Sequence, residues 1–271
     1  MLPLLALACA CTGYQTGKQT DGEVLPADSA TGVVLDSISL HLRKHLVEGQ
    51  DAPSYDIALN VLAAKGDDDA SRLFNEELCR TFFGAEGITV DSAMHFLADS
   101  LSASYTADLN DLYDRNTEDT FTFQYTYDQK GTVDEDSYPG LAAYTMTLST
   151  YLGGAHGSYS ISCLNLNLST GRAIRCADFF QKDRLVNVKQ LVEKSFMDKN
   201  GCNSLDELVE KTSIGSLGEI YVNENFLLLA DSVEFVYNPY DVAPWACGLI
   251  TTRVAYSDLA PCINKDILPQ K

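Results

Sequence analysis

Residues 151–180 constrain the fold more than any other stretch of this 271-residue chain. A glycine-rich segment, Gly153, Gly154, Ala155, His156 and Gly157, leads into an apolar run from Ser158 to Leu168. Ser169, Thr170 and Gly171 separate that run from Arg172 to Cys176, after which come Asp178, Phe179 and Phe180. Glycine accepts positive φ or close backbone approach at little cost, so the first segment reads as a turn. Ser-Thr-Gly between two alternating runs is a hairpin signal. The predicted order is turn, strand, tight turn, return strand, helix start. The apolar strand changes phase along its length. Tyr159, Ile161 and Cys163 share one face, whereas Leu164, Leu166 and Leu168 share the other. Two readings fit this: a β-bulge near Cys163, or a strand covered on both faces.

Period-two alternation predicts strands at 33–42, 55–63, 121–127 and 142–149. Ala70, Leu73, Phe74, Leu78 and Phe82 recur at helical spacing, opened by Asp67, Asp68 and Asp69 and closed by Gly84. A second helix from about Asp91 carries Met94, Leu97, Leu101, Tyr105, Leu109 and Leu112 as its apolar stripe. Leu185 to Phe196 predicts a third, and Ser204 with Glu207 has the spacing of a capping box. Strands return at 219–222, 226–229, 233–237 and 249–254, followed by a helical turn at 256–259. Grouped rather than alternating elements imply an α+β fold: two sub-domains of mostly antiparallel sheet with helices packed on one face. The acidic loop Asp134, Glu135, Asp136 suggests the division, giving sub-domains at 32–136 and 137–265.

The N-terminus, residues 1–11, is an apolar run with small residues before a cysteine. It is too short to span a bilayer and reads as a signal peptide. Ala8, Cys9 and Ala10 before Cys11 resemble a lipoprotein signal with Cys11 as the acylated residue; Cys9 is the alternative. Residues 12–31 are polar and aperiodic, as suits a flexible linker. The expected location is therefore the cell envelope, on a lipid anchor. The formal net charge of −19 supplies no basic patch for phosphates and argues against nucleic-acid binding. An acidic surface serves solubility; it also speeds capture of a cationic partner.

Beyond the leader stand Cys79, Cys163, Cys176, Cys202, Cys247 and Cys262. An oxidising compartment permits disulfides. The hairpin turn sets Cys163 nearly opposite Cys176, which are the expected pair; free buried thiols are the alternative. No Cys/His cluster suggests a metal, and no cofactor motif is present. His41 and His45 share a strand face without further ligands. No Gly-x-Ser-x-Gly, His-Glu-x-x-His or phosphate-binding loop occurs, so the chain is expected not to be an enzyme. His156, between glycines, is the histidine best placed to meet a ligand or, in an enzyme, to act as a base. The aromatic loop from Tyr237 to Trp245, stiffened by Pro239 and Pro244, is the other recognition candidate, through Tyr240 and Trp245. A corner packed into the core is its structural alternative.

Together with residues 151–180, the segment from Phe235 to Gly248 (Asn238, Pro239, Tyr240, then Pro244, Trp245 and Gly248) resembles an extracytoplasmic domain of unknown function. That domain is shared by RsiV-type lysozyme-sensing anti-sigma factors and PdaC-type peptidoglycan deacetylases. Trp245 stands where that family's segment has a tyrosine, and Cys163, Cys176 and Cys247 are additions to its pattern. The resemblance implies a non-catalytic recognition module with a partner in cell-wall biology, either a basic protein such as lysozyme or a cell-wall glycan. An envelope hydrolase acting on wall or glycan is the alternative.

Overall fold

In this computed structural model, residues 32–48, 52–114 and 124–269 are described. Cys9, Cys11, the linker, Phe121 and Phe123 lie outside them. Six strands form one sheet in sequence order: β1 (Val34–His45), β2 (Ser54–Lys65), β3 (Gln124–Val133), β4 (Leu141–Tyr151), β5 (Ser158–Asn167) and β6 (Ala173–Ile174). A second sheet contains β7 (Phe226–Leu228), β8 (Ser232–Tyr237) and β9 (Ile250–Ala255). Neighbouring strands are antiparallel except β2 and β3, which run parallel. A parallel pair needs a crossover. Helices α1 (Asp69–Leu78) and α2 (Val90–Asp114) supply it. The fold is α+β, as the grouping of elements predicts.

Asp68 caps α1, its carboxylate accepting from the Ser71 N–H at 3.0 Å. A bond from the Ser71 hydroxyl, seconded by that from the N–H, holds the Asp68 carboxyl below its ordinary range. The helix runs on through a π turn, Cys79–Phe83, and stops where Gly84 takes φ +61. Tyr55, Ile57, Leu59, Val61 and Ala63 alternate along β2 and bury one face against Phe74, Leu78, Met94 and Leu109 of the helices. Ala142, Tyr144, Met146, Leu164 and Leu166 extend this core across β4 and β5. The other face of the same two strands sets Ala143 and Cys163 against Leu227 and Leu229. Pairing from Leu141↔Asn167 to Thr150↔Ser158 is unbroken. The phase change in β5 therefore comes from cover on both faces, not from a bulge.

A second core gathers around α4 (Leu185–Asn200) and α5 (Leu205–Thr212), where Phe179, Phe180, Phe226 and Phe235 pack edge and face. Ser204 caps α5 by accepting from the Glu207 N–H. The Glu207 carboxylate reaches the Asn203 N–H instead of the Ser204 N–H, so the box closes one residue early. Residues 219–222 form no strand, although Ile220 is buried in this core. The division expected at residue 136 falls in the turn between β3 and β4, and the six-stranded sheet runs across it.

The Cys163–Cys176 disulfide is not formed, and no disulfide joins any of the six cysteines of the described residues. The register that suggested it is real, since Asn165↔Ile174 and Leu166↔Ala173 pair as expected. But β6 ends at Ile174, Arg175 becomes a helix N-cap, and Cys176 opens the short helix α3 (Cys176–Phe179). Cys176 thus leaves the sheet just before reaching Cys163. Burial pushes both thiols upward, helped by Glu234 at Cys163 and by Glu224 at Cys176, and so opposes the reactive thiolate.

Candidate functional site

The two segments singled out in the sequence meet at the open edge of β5. Beyond its short pairing with β6, that edge has no backbone partner strand among the described residues; asparagine side chains take the place of one. Asn238 Oδ1 accepts from the Ile161 N–H at 2.7 Å, and its Nδ2 donates to the Ile161 carbonyl at 3.0 Å. Asn225 Oδ1 accepts from the Cys163 N–H at 2.6 Å, and its Nδ2 donates to the Ile161 carbonyl at 2.9 Å. Asn165, on β5 itself and 1% exposed, donates to the Phe226 carbonyl and accepts from the Leu228 N–H. These amides bolt the small sheet onto the large one. Replacing Asn165 by Leu orphans one buried N–H and one buried C=O, and is expected to cost about 2–4 kcal/mol, measured by urea unfolding. Composition masks these three residues in the sequence. Their signal is a lone asparagine inside an apolar run (Leu164, Asn165, Leu166) and two more in turns.

Above this seam, the loop after β4 has Gly153 at φ +83 and Gly154 at φ +92. Tyr151 Oη donates to the Gly154 carbonyl at 3.0 Å, fixing the loop on its own strand. A side chain at Gly157 would come within 2.7 Å of the Thr150 carbonyl, so only glycine permits that closure. His156 is exposed and stacks on Trp245, ring centroids 4.2 Å apart and planes 23° apart. Its Nδ1 donates to the Gly157 carbonyl at 2.8 Å, which leaves Nε2 as the acceptor of a neutral ring. Trp245 is half-buried. Its Nε1 is buried and, among the described residues, has no hydrogen-bond partner.

Tyr240 lies on the same loop as Trp245, in a turn whose first residue is Asn238. The Asp241 N–H donates to the Asn238 carbonyl at 3.0 Å, and Asp241 Oδ2 accepts from the Asn238 N–H at 2.8 Å. Pro239 takes the second position. Tyr240, the third, sits at φ +74 and is 62% exposed. Proline followed by positive φ is the type II pattern, in which glycine is favoured at the third position. The structure thus joins His156 to Trp245 directly and sets Tyr240 on the turn that Asn238 ties to β5. Asn-Pro-x-Asp was the legible signal for that turn; the strain on Tyr240 was not.

His41 Nε2 lies 2.7 Å from Asp56 Oδ1 across two strands. Asp134 Oδ1 accepts from the Asp136 N–H within the acidic turn. Among the described residues, no group of three or more His, Cys, Asp or Glu is placed to hold a metal. No described helix is long and apolar enough to cross a membrane.

No curated protein matches the chain. A protein from Bacteroides fragilis NCTC 9343, solved as a member of the DUF3298 family, shares the fold with a TM-score of 0.76 and 23% identity, over 87% of this chain and 96% of that one. A DUF3298 family protein from Pseudomonas aeruginosa PAO1 gives a TM-score of 0.57 and 13% identity, over 88% and 98%. Residues 177–257 match the model of the protein family of unknown function DUF3298, and the chain as a whole has the fold of these two proteins.

Proposed function

We propose that this chain is a non-catalytic recognition module of the cell envelope, held by a lipid on Cys11, that binds a basic protein such as lysozyme through Tyr240 and the neighbouring His156–Trp245 stack. The observation that carries this is Tyr240: an aromatic ring 62% exposed on a backbone conformation that disfavours it. Such strain is retained where function requires the residue. The buried, unpartnered Trp245 Nε1 adds a second local cost. His156 covers one face of the indole, so Trp245 does not offer an open platform to a sugar ring; Tyr240 instead projects as an anchor of the kind that interfaces favour. The net charge of −19 suits a cationic partner. The resemblance to the lysozyme-sensing proteins points the same way.

Capture of lysozyme by the purified protein is expected at about 0.01 M salt and should weaken markedly by about 0.1 M, as the screening length shrinks. Absence of capture at low salt removes lysozyme as the partner. Binding of soluble wall fragments in its place would assign a glycan ligand. Turnover of wall material that disappears in His156→Ala would replace this reading by the hydrolase.

A further inference from the structure

Among the described residues, side chains close the outward edges of β5 and β9. Asparagines close β5. At β9, the Ser195 hydroxyl donates to the Arg253 carbonyl at 2.7 Å and Lys199 Nζ donates to the Thr251 carbonyl at 2.8 Å, both from α4. The edge of β1 is the longest, and among the described residues no strand covers it. It runs twelve residues without a bulge or proline, paired to β2 in one register from Val34↔Lys65 to His45↔Ser54. The Leu46 N–H donates to Pro53 across that pair at 2.8 Å. Alternation along an antiparallel ladder therefore turns the N–H and C=O groups of residues 35, 37, 39, 41, 43 and 45 outward. Among the described residues, the only group meeting this stretch of edge is the Asp36 carboxylate, which accepts from the Ser37 N–H at 2.9 Å. Natural proteins cover or blunt such an edge.

We infer that β1 is covered by β1 of a second copy of this chain, in an antiparallel pair whose two-fold axis passes through Leu40. Side-chain parity restricts the choice. Asp36, Ile38, Leu40, Leu42 and Lys44 share the face that packs on the helices, through partners Ala63, Val61, Leu59, Ile57 and Tyr55. Residues directly opposite in a ladder lie on the same face, so a one-residue slip would set leucines against serines and histidines. With Leu40 on the axis, Ile38 of each copy meets Leu42 of the other, and the half-buried apolar row continues across the interface. Asp36 of each copy, whose Oδ2 lies 3.4 Å from Lys65 Nζ of its own chain, then also meets Lys44 of the other, at both ends of the pair. Slipping by two residues either way sets Asp36 against Leu42 or Lys44 against Ile38, so the two charges select this register. The backbone agrees, because Ser39↔His41, Ser37↔Arg43 and Leu35↔His45 are all positions with outward N–H and C=O groups, the Ser37 N–H exchanging its bond to the Asp36 carboxylate for one across the new pair. Pairing ends at Leu35, since the Val33 N–H already donates to the Leu168 carbonyl at 3.0 Å. The interface is isologous, as a two-fold dimer requires, and its energy comes from strand addition.

The test is sedimentation of the full chain over a range of concentrations. The expected result is a reversible dimer with twice the 29.6 kDa of one chain. Ser39→Pro removes an outward N–H while leaving the β1–β2 ladder intact, and should give a monomer with unchanged circular dichroism. Asp36→Lys sets like charges together at both ends and should raise the dimer Kd by about tenfold. Adding Lys44→Asp to that variant should restore the original Kd. A monomer at every concentration overturns the proposal. So does a dimer that survives Ser39→Pro, or a double charge reversal that fails to rescue the single one.

Discussion

Gly171→Ala should lower stability by about 3–5 kcal/mol, among the largest losses from any single methyl group in this protein. Gly171 closes the β5–β6 hairpin at φ +69, its N–H donating to the Asn167 carbonyl at 2.8 Å. A left-handed backbone costs a residue with a Cβ about 1–2 kcal/mol. The larger part is contact. A Cβ at this position would lie 2.0 Å from the Ala70 carbonyl oxygen and 2.7 Å from the Phe74 nitrogen, both backbone atoms of α1. Those atoms cannot rotate away, so relief requires moving the helix or the hairpin. Arg175, just after the hairpin, is tied to α1 by an ion pair to Glu77 at 2.7 Å, which resists that movement. Gly154→Ala is the matched control. It has φ +92 but nothing within 4 Å of the added carbon, so it carries the backbone cost alone. Chemical unfolding of both variants separates the two contributions. Equal losses would mean that the hairpin does not rest on α1.

The same hairpin shows how far the sequence was legible. Ser169, Thr170 and Gly171 announced a tight turn because turn chemistry is local. That its glycine would press on a helix about a hundred residues upstream was not, because that contact is tertiary. Helices were readable where a stripe and two caps agreed, as with Asp68 and Gly84 around α1. The phase change in β5 was visible as a pattern, and only the partner on its far face, β7, decided between bulge and double cover. The expected cysteine pair shows the opposite error. Its register was right, but the strand ended two residues too soon for it, because the polypeptide turns into α3 at Arg175. Residues 219–222 alternate like a strand yet remain irregular: alternation records burial of Ile220, not the presence of a neighbour to pair with. At the candidate site, His156, Trp245 and Tyr240 stood out as residue types in constrained loops. The asparagines that hold those loops did not, since an amide replacing a strand leaves no periodic trace.

Tyr240→Gly should make the protein more stable and the site inactive. Relief of positive φ at the third turn position returns about 1–2 kcal/mol. Little packing is lost in exchange, because 62% of the residue is exposed. Glycine also has more freedom in the unfolded chain, which trims the net gain to about 1 kcal/mol. Binding behaves in the opposite sense. An exposed tyrosine serving as an interface anchor contributes at least about 2 kcal/mol, so affinity for lysozyme should fall by about thirtyfold or more. Tyr240→Ala separates the two effects, for it removes the ring while keeping a Cβ on the strained backbone; it should lose affinity without the gain in stability. Thermal unfolding and a binding titration on the three proteins decide the matter. Wild-type affinity in Tyr240→Gly would show that the ring does not anchor the partner. Unchanged stability would show that the turn holds tyrosine without strain, and that nothing in the backbone marks Tyr240 as a residue kept for binding. The combination expected here, stability gained where recognition is lost, is the mark of a residue kept for what it binds rather than for what it packs against.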